Sequence, residues 1–224
     1  MAKKHKKSDK LYAVVGLGRF GFALAEELAA KGCDVMVVDR DRNRVEAASD
    51  FTDNAFVVDE MTRENLEETG IAEADVAVIC IGDKIDVSIL TTLTVLRLGV
   101  PKVISKASSA EQGEVLKLLG AEVVYPERDM ALRLAGKLIS PNILEYISLS
   151  DEIDIMEIKL SEKAEGKTVI EMNLRSRYGL NIIARRRGDT ISTDILPNMV
   201  LHADDSITVI GKTDSIHKFE KDLQ

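Results

Sequence analysis

The chain has 224 residues, of which 45% are apolar and 30% charged, and its formal net charge is −8. This length and composition can supply the core of one large domain, or of a larger and a smaller domain. The negative charge and the low aromatic content of 4%, with no tryptophan, argue against a protein that binds nucleic acid through its phosphates or by base stacking.

The sequence contains no segment that predicts insertion into a membrane. Its apolar runs are shorter than the ~18 residues that a transmembrane helix needs, and residues 1–10 lack the apolar stretch of a signal peptide. The two cysteines, Cys33 and Cys80, lie in or beside apolar runs without CxxC spacing, which is typical of buried thiols in a reducing compartment. We therefore expect a cytoplasmic protein.

The first ten residues, MAKKHKKSDK, form a basic segment. They carry five lysines and one aspartate, a net charge of +4. A short terminal segment of this composition predicts a disordered, solvated tail over residues 1–10. Weak attraction to anionic lipid is the alternative interpretation.

Residues 11–140 alternate short β-branched runs with amphipathic segments. Strands are predicted at 11–16, 34–39, 54–59, 76–82, 102–107 and 122–127, and helices near 20–31, 41–49, 62–69, 84–98, 109–119 and 127–139. Six apolar strands joined by helices predict a parallel six-stranded sheet covered on both faces. The predicted fold class is therefore α/β, with a Rossmann-like sheet.

The pattern changes after residue 140 and predicts a second, smaller α+β domain over residues 154–224. The segment SPNILEYISLSDE suggests a helix–turn connection with a boundary at Pro141, which gives a linker over 141–153. Strands are then predicted at 154–161, 180–187 and 204–212, with a short helix at 169–178, a turn at 188–189 and a closing helix at 213–223. So small a domain is expected to bury a face against a second copy.

A glycine-rich motif follows the first predicted strand. Gly16, Gly18 and Gly21 form GxGxxG between a strand and a helix, and Asp39 ends the second strand 18 residues after Gly21. Such glycines let backbone amides approach a pyrophosphate at the helix N-terminus. A carboxylate at position 39 can accept hydrogen bonds from ribose hydroxyls, which disfavours a 2′-phosphate. The motif predicts a nucleotide site, and a glycine-rich turn without a ligand is the alternative.

Arg19, between the second and third glycines, adds a charge to this motif. A cation at the start of a helix faces the positive end of the helix dipole, which is unfavourable unless an anion balances it. Arg19 therefore indicates a phosphate ligand, and an exposed arginine on the first turn is the alternative.

A catalytic group is harder to find than the nucleotide motif. An NAD-dependent dehydrogenase needs a general acid or a group that orients the hydride, and the three histidines, at positions 5, 202 and 217, are poorly placed for that role. We therefore expect a nucleotide-binding protein that is not an enzyme. A dehydrogenase and a redox-sensing NAD(H)-binding module are the alternatives.

Several segments resemble one known family. They are VVGLGRFG, VVDRD, LTTLTVLRLGVPKVISKA, LKLLGAEVVYPERDMALRLA and LEYISLSDEI. Over residues 11–224 the chain is similar to the cytosolic regulatory subunits of Ktr/Trk-type bacterial potassium uptake systems, with GLGRFG and YPERDMA most similar to the Ktr branch. The resemblance implies an RCK N-terminal domain over 11–140 and an RCK C-lobe over 154–224. It also implies homodimers that assemble into an octameric gating ring, attached to the inner face of the membrane through a potassium-translocating channel subunit.

The resemblance further implies the ligands of the glycine-loop pocket. ATP and ADP would compete there and hold the ring in different shapes, and NAD(H) can also bind in the family. The implied pocket residues are Gly16, Gly18, Arg19, Phe20, Gly21, Asp39, Asp59, Glu60, Ile81, Gly82 and Lys106. The sequence itself adds Arg40, which with Arg42 follows Asp39 and would weaken the exclusion of a 2′-phosphate; a solvated surface position is the alternative for both arginines. In the family, the arginine at position 19 reaches the γ-phosphate of the nucleotide in the neighbouring subunit.

Two further ligands are implied by the resemblance. Glu127 matches a family glutamate that helps to hold a divalent cation, Mg²⁺ or Ca²⁺, between ATP-bound subunits; a glutamate favoured by the helix dipole is the alternative. In the C-lobe, a cyclic di-AMP site at a dimer interface is implied. Its residues would be Arg175 at a phosphate, Asn181 as a hydrogen-bonding partner, Ile170 and Leu174 as apolar walls, and Pro197. Ordinary core packing is the alternative for the isoleucine and the leucine.

Overall fold

The computed structural model describes residues 8–139, 142–150 and 152–223. The chain divides into two compact units, one ending at Arg128 and the other beginning at Asp129. Most of the predicted basic tail and the predicted boundary at Pro141 lie outside the described residues. No helix among the described residues is both long enough and apolar enough to cross a bilayer.

The first unit is built on a parallel six-stranded sheet. Its strands are β1 (Ser8–Val15), β2 (Cys33–Asp39), β3 (Asn54–Val57), β4 (Val76–Ile79), β5 (Lys102–Lys106) and β6 (Glu122–Val124). Its helices are α1 (Arg19–Ala30), α2 (Arg42–Ala48), α3 (Arg63–Glu68), α4 (Ile85–Arg97), α5 (Ala110–Leu118) and α6 (Pro126–Ile139), and the division between the units falls within α6. The strand order β3-β2-β1-β4-β5-β6 is that of the Rossmann fold. The predicted fold class is confirmed.

Burial on both faces explains why these strands are almost continuously apolar. Along β1 and β2, alternate side chains enter two different cores: Ala13 and Val38 pack on one face of the sheet, and Val14 and Val37 pack on the other. Both neighbours of β1 pair with it in parallel. Because every strand runs in the same direction, the loops that follow the strands gather at one edge of the sheet.

The second unit is built on an antiparallel five-stranded sheet of order β10-β9-β11-β8-β7. Its strands are β7 (Ile143–Ser148), β8 (Ile153–Lys159), β9 (Asn181–Arg187), β10 (Thr190–Ser192) and β11 (Ser206–Lys212). Its helices are α7 (Val169–Met172), α8 (Leu174–Tyr178) and α9 (Thr213–Leu223). One core packs the helices against the sheet and includes Met156, Ile158, Ile207 and Phe219.

Two details of the predicted second unit are wrong. The segment predicted as a helix–turn connection contains β7, which pairs antiparallel with β8 and has a register shift between Ile143 and Glu145. Because the shift breaks the period-two alternation, the segment does not show the pattern of a strand. The helix predicted over 169–178 is two short helices, separated at Asn173, whose φ of 48° lies in the left-handed region.

In the second unit, the buried carboxylate of Asp205 accepts several hydrogen bonds at the turn that precedes β11. Both oxygens of Asp205 accept from the Arg187 guanidinium, at 2.6 and 2.8 Å, and one also accepts from the backbone N–H of His202. Burial opposes ionisation of this group, but these hydrogen bonds outweigh burial and hold the pKa of Asp205 below its usual value. The carboxylate therefore stays ionised and fixes the turn that precedes β11.

Candidate nucleotide-binding site

A pocket of about 1210 Å³ opens at the edge of the first unit where its strands end. It spans the point between β1 and β4 at which the strand order reverses, which is where open α/β sheets bind their ligands. Of the residues expected in the nucleotide pocket, those lining it are Gly16, Gly18, Arg19, Phe20, Asp39, Arg40, Asp59, Glu60, Ile81, Gly82 and Lys106. Glu127 also lines it. The structure thus brings together side chains that are distant in the sequence.

The glycine loop has two distinct structural requirements. Gly16 has a φ of 97°, which side-chain-bearing residues rarely adopt. Gly21 does not line the pocket; a Cβ there would lie 2.0 Å from the Gly16 carbonyl oxygen, so only glycine lets α1 approach the loop. Gly18 is the N-cap of α1 and contributes no capping side chain. The N–H groups of the first helical turn therefore face the pocket as donors for an anion.

Asp39 is buried at the end of β2 and connects β2 to the glycine loop. One carboxylate oxygen accepts from the backbone N–H of Leu17, and the other accepts from the N–H of Asp41 at 2.8 Å. The Arg44 guanidinium lies 3.8 Å from the same carboxylate. Because each carboxylate oxygen can accept more than one hydrogen bond, these contacts are compatible with a further bond to a ribose hydroxyl.

Three of the charged side chains that line the pocket, Arg19, Lys106 and Glu127, lie near the start of α1. Arg19 is the exposed first residue of α1, and the ammonium Nζ of Lys106 lies 2.5 Å from Oε1 of Glu127. The hydrogen bond from Lys106 lowers the pKa of Glu127, and the charge of Arg19 lowers it further. Two cations and one anion therefore share the part of the pocket next to the glycine loop.

Two side chains in the wall of the pocket define its chemistry further. Burial raises the pKa of the Cys80 thiol to about 12, so this cysteine is inert at neutral pH. The buried hydroxyl of Thr91, on α4, has no hydrogen-bond partner within the described part of the chain.

Glu127 supplies the hard oxygen ligand that Mg²⁺ or Ca²⁺ prefers, and its side chain is exposed. Nowhere in the described ranges do three or more histidine, cysteine, aspartate or glutamate side chains converge as a metal site. A single chain thus fits a divalent cation through one carboxylate. The remaining oxygens would come from nucleotide phosphates, water or a second subunit.

Comparison with known families identifies the chain. The TrkA-N domain model matches residues 12–126, and the TrkA-C domain model matches residues 155–224. The chain belongs to the Ktr/Trk family. One relative, the Ktr system potassium uptake protein C of Bacillus subtilis (strain 168), is 37% identical over 213 residues, which are 95% of this chain and 96% of the relative. The Ktr system potassium uptake protein A of the same organism is 32% identical, over 96% and 97% of the two chains.

Solved structures support the fold of this Ktr/Trk-family chain. The crystal structure of the GsuK RCK domain superposes with a TM-score of 0.51 and 22% sequence identity. The match covers 98% of this chain and 48% of that one, so the chain spans about half the length of the GsuK structure. At this identity the likeness shows the shared fold alone.

The residues expected to bind cyclic di-AMP in the Ktr/Trk-family C-lobe lie in the second unit, and they differ in exposure. Arg175, Asn181 and Pro197 are exposed, and Ile170 is exposed beside Pro197, whose carbonyl oxygen accepts from the Ile170 N–H at 2.9 Å. Leu174 is buried in the core of the unit, as in the alternative interpretation of its helical spacing. Its side chain therefore packs in the core of the C-lobe and stabilises its fold.

Sequence reasoning missed several pocket residues. Arg44 lines the pocket one helical turn after Asp41, whereas Arg42 was the neighbour considered from the sequence. Val87, Leu90, Thr91 and Thr94 line it from one face of α4. Ser108, Ser109 and Tyr125 line it from the loops after β5 and β6, and Ala110 and Arg128 from the first turns of α5 and α6. Two signals were available: the i, i+3, i+4, i+7 spacing on α4, and the rule that loops after parallel strands meet at one edge.

Proposed function

We propose that this protein is the nucleotide-binding gating subunit of a bacterial potassium uptake system. In this proposal it binds ATP or ADP in the glycine-loop pocket and switches a membrane-embedded, potassium-translocating subunit without catalysing a reaction. The observation that carries the proposal is the pocket itself. A glycine loop, the buried carboxylate of Asp39 and the cations Arg19 and Lys106 converge there, in a chain 37% identical to a Ktr system potassium uptake protein over nearly its whole length. NAD(H) is an alternative ligand of the same pocket.

The proposed function includes a divalent cation that binds at the nucleotide pocket. Glu127 would bind Mg²⁺ or Ca²⁺ together with nucleotide phosphates and the matching glutamate of a second subunit. Such an arrangement combines the several oxygen ligands that these cations need. On the second unit, the exposed Arg175, Asn181 and Pro197 support a site for cyclic di-AMP, which we propose as an inhibitor that binds between two C-lobes.

The proposed function is tested by reconstituting the protein with its membrane partner in vesicles. We expect potassium flux to be higher with ATP than with ADP, because only ATP presents a γ-phosphate to the cations of the pocket. Calorimetry should show ATP, ADP or NADH binding more tightly than NADPH, because Asp39 repels a 2′-phosphate. A potassium flux that is the same with ATP, with ADP and without nucleotide would contradict the gating proposal. Hydride transfer from NADH to a carbonyl substrate, which forms an alcohol or a hydroxy acid and NAD⁺, would restore the dehydrogenase alternative.

An exposed apolar stripe on α6 supports the proposed assembly. Met130, Leu134 and Leu138 are 59%, 55% and 73% exposed and recur every four residues, so they lie on one side of the helix. Adjacent exposed apolar side chains of this kind mark a protein–protein contact. We propose that α6 pairs with its copy in a homodimer, and that dimers assemble into an octameric ring on the inner face of the membrane.

Placing charges on this stripe should weaken the homodimer. We expect Leu134→Glu with Leu138→Glu to increase the fraction of monomer at micromolar concentration, because dimerisation would then bury unpaired carboxylates. Light scattering with ATP present measures the change. Leu118→Glu is the control: Leu118 is 87% exposed, but it lies on α5, outside the stripe. An unchanged oligomer in the double variant would exclude α6 from the interface.

A further inference from the structure

The ion pair between Lys106 and Glu127 joins the end of β5 to the start of α6. Its two side chains differ in exposure: that of Lys106 is 13% exposed, and that of Glu127 is 67% exposed. An exposed lysine gains little from such a contact. A lysine that is largely withdrawn from water needs a partner anion, because burial of an unpaired charge is unfavourable. Glu127 is the anion that meets this need in the ligand-free chain.

The position of Lys106 makes it available to a second anion. Its ammonium group lies 6.0 Å from the centre of the Phe20 ring, on the first turn of α1. It also lies 3.3 Å from the place that a Cβ of Gly82 would occupy. The ammonium group is thus next to the helix N-terminus, where a phosphate on the glycine loop would bind.

A phosphate in this position and the Glu127 carboxylate would compete for the same ammonium group. Lys106 has three N–H donors, but using them for both anions would bring two negative charges together at one end of the pocket. The repulsion between like charges at short distance disfavours that arrangement. We therefore expect only one of the two anions to contact the Lys106 ammonium group at a time.

We propose that Lys106 and Glu127 form an exchangeable ion pair. In the nucleotide-free protein, Lys106 forms an ion pair with Glu127. When a nucleotide binds, its phosphate replaces Glu127 as the partner of Lys106. The exchange leaves Glu127 unpaired, so that it opposes nucleotide binding until a divalent cation neutralises it. This inference rests on the proposed nucleotide binding and extends it, because it makes the cation requirement a consequence of the ion pair.

The exchange predicts that removing the Glu127 charge strengthens nucleotide binding when no cation is present. With EDTA, we expect Glu127→Gln to lower the dissociation constant of ADP roughly three- to tenfold, the range for the net contribution of one ordinary hydrogen bond. The dissociation constant of adenosine, which carries no phosphate, should stay the same. Calorimetry on the full chain measures both constants. In the wild type, adding Mg²⁺ should strengthen ADP binding by a larger factor than in Glu127→Gln.

A double-mutant cycle separates exchange from general repulsion between Glu127 and the ligand. In the Lys106→Gln background, we expect Glu127→Gln to give a clearly smaller gain in ADP affinity, because no ammonium group is left to release and only the repulsion between Glu127 and the phosphate remains. An equally large gain in that background would show simple repulsion and overturn the exchange. The matched control is the ion pair Lys102–Glu122, which joins β5 to β6 at 2.9 Å and lies outside the pocket. Glu122→Gln should leave ADP affinity unchanged.

The outcomes also separate this inference from the proposed function. If the wild type binds ADP and Glu127→Gln binds it equally or more weakly, the exchange is wrong and the nucleotide proposal stands. If neither adenosine nor ADP binds to the wild type or the variants, both proposals fail. Unfolding midpoints of all variants show whether a lost affinity reflects a lost fold.

Discussion

Replacing Gly21 by alanine should destabilise the first unit by about 3 kcal/mol, at the upper end of the range for overpacked positions. The new Cβ would lie 2.0 Å from the Gly16 carbonyl oxygen and 3.0 Å from the Cβ of Cys80. The carbonyl belongs to the backbone of the glycine loop, and the loop is held on both sides: the Gly16 N–H donates to the Val38 carbonyl at 2.8 Å, and the Leu17 N–H donates to Asp39. Helix α1 must therefore move away from the sheet.

Hydrogen exchange of the β1 and α1 amides measures this loss of stability within the first unit. The control is Gly18→Ala, because no atom lies within 4 Å of the Cβ that this change would add. Because alanine is a poorer N-cap than glycine, the change should cost about 0.5–1 kcal/mol, well below the loss expected for Gly21→Ala. It should still weaken nucleotide binding, since its methyl group faces the pocket that we assign to phosphates. Equal protection of the α1 amides in wild type and Gly21→Ala would show that the loop adapts to the alanine.

Replacing Arg19 by alanine should weaken ATP binding roughly ten- to hundredfold, the range for one charge-assisted contact, and change ADP affinity only a few-fold. In the proposed ring, its guanidinium reaches the γ-phosphate of the nucleotide in the neighbouring subunit, and ADP lacks that phosphate. This loss of ATP affinity does not require any loss of folding stability. Removing a cation from the first turn of α1 relieves an unfavourable contact with the helix dipole, so the variant should be at least as stable as the wild type.

Calorimetry with ATP and ADP gives the two affinities for Arg19→Ala, and potassium flux in vesicles shows whether gating is lost with the ATP contact. Arg40→Ala is a useful comparison, because Arg40 lines the pocket beside Asp39, where we propose that the ribose binds, and its loss should affect ATP and ADP alike. If Arg19→Ala weakens ATP and ADP by the same factor, Arg19 belongs to the shared phosphate site. A role as a sensor between subunits would then be wrong.

Much of the first unit could be predicted from its sequence because its information is local. Buried parallel strands are continuously apolar, the helices between them are amphipathic, and glycines follow the helices. The GxGxxG motif follows β1 and Asp39 ends β2, so these two local signals predict both ends of the proposed ribose and phosphate site. The order β3-β2-β1-β4-β5-β6 follows from right-handed crossovers only in part, since these rules allow several arrangements of six strands.

The second unit was harder to predict because its pairings are antiparallel and irregular. β7 carries a register shift, and its inward side chains, Ile143 and Tyr146, are three residues apart instead of two. Strand periodicity is the signal that identifies a half-buried strand, and the shift removes it. The left-handed backbone at Asn173 divides the predicted helix, and a sequence pattern of apolar residues does not record such a break.

The sequence by itself determined the fold class, the glycine loop and the family. These depend on periodicity, on the small size of glycine and on motifs of a few adjacent residues. Only the tertiary structure decided which side chains are partners: Lys106 with Glu127, 21 residues apart, and Asp205 with Arg187. Such pairings depend on strand order and side-chain direction, which place charges within hydrogen-bond distance regardless of their separation along the chain. The physical reason is that electrostatic contacts depend on distance in space, whereas secondary structure depends on spacing in sequence.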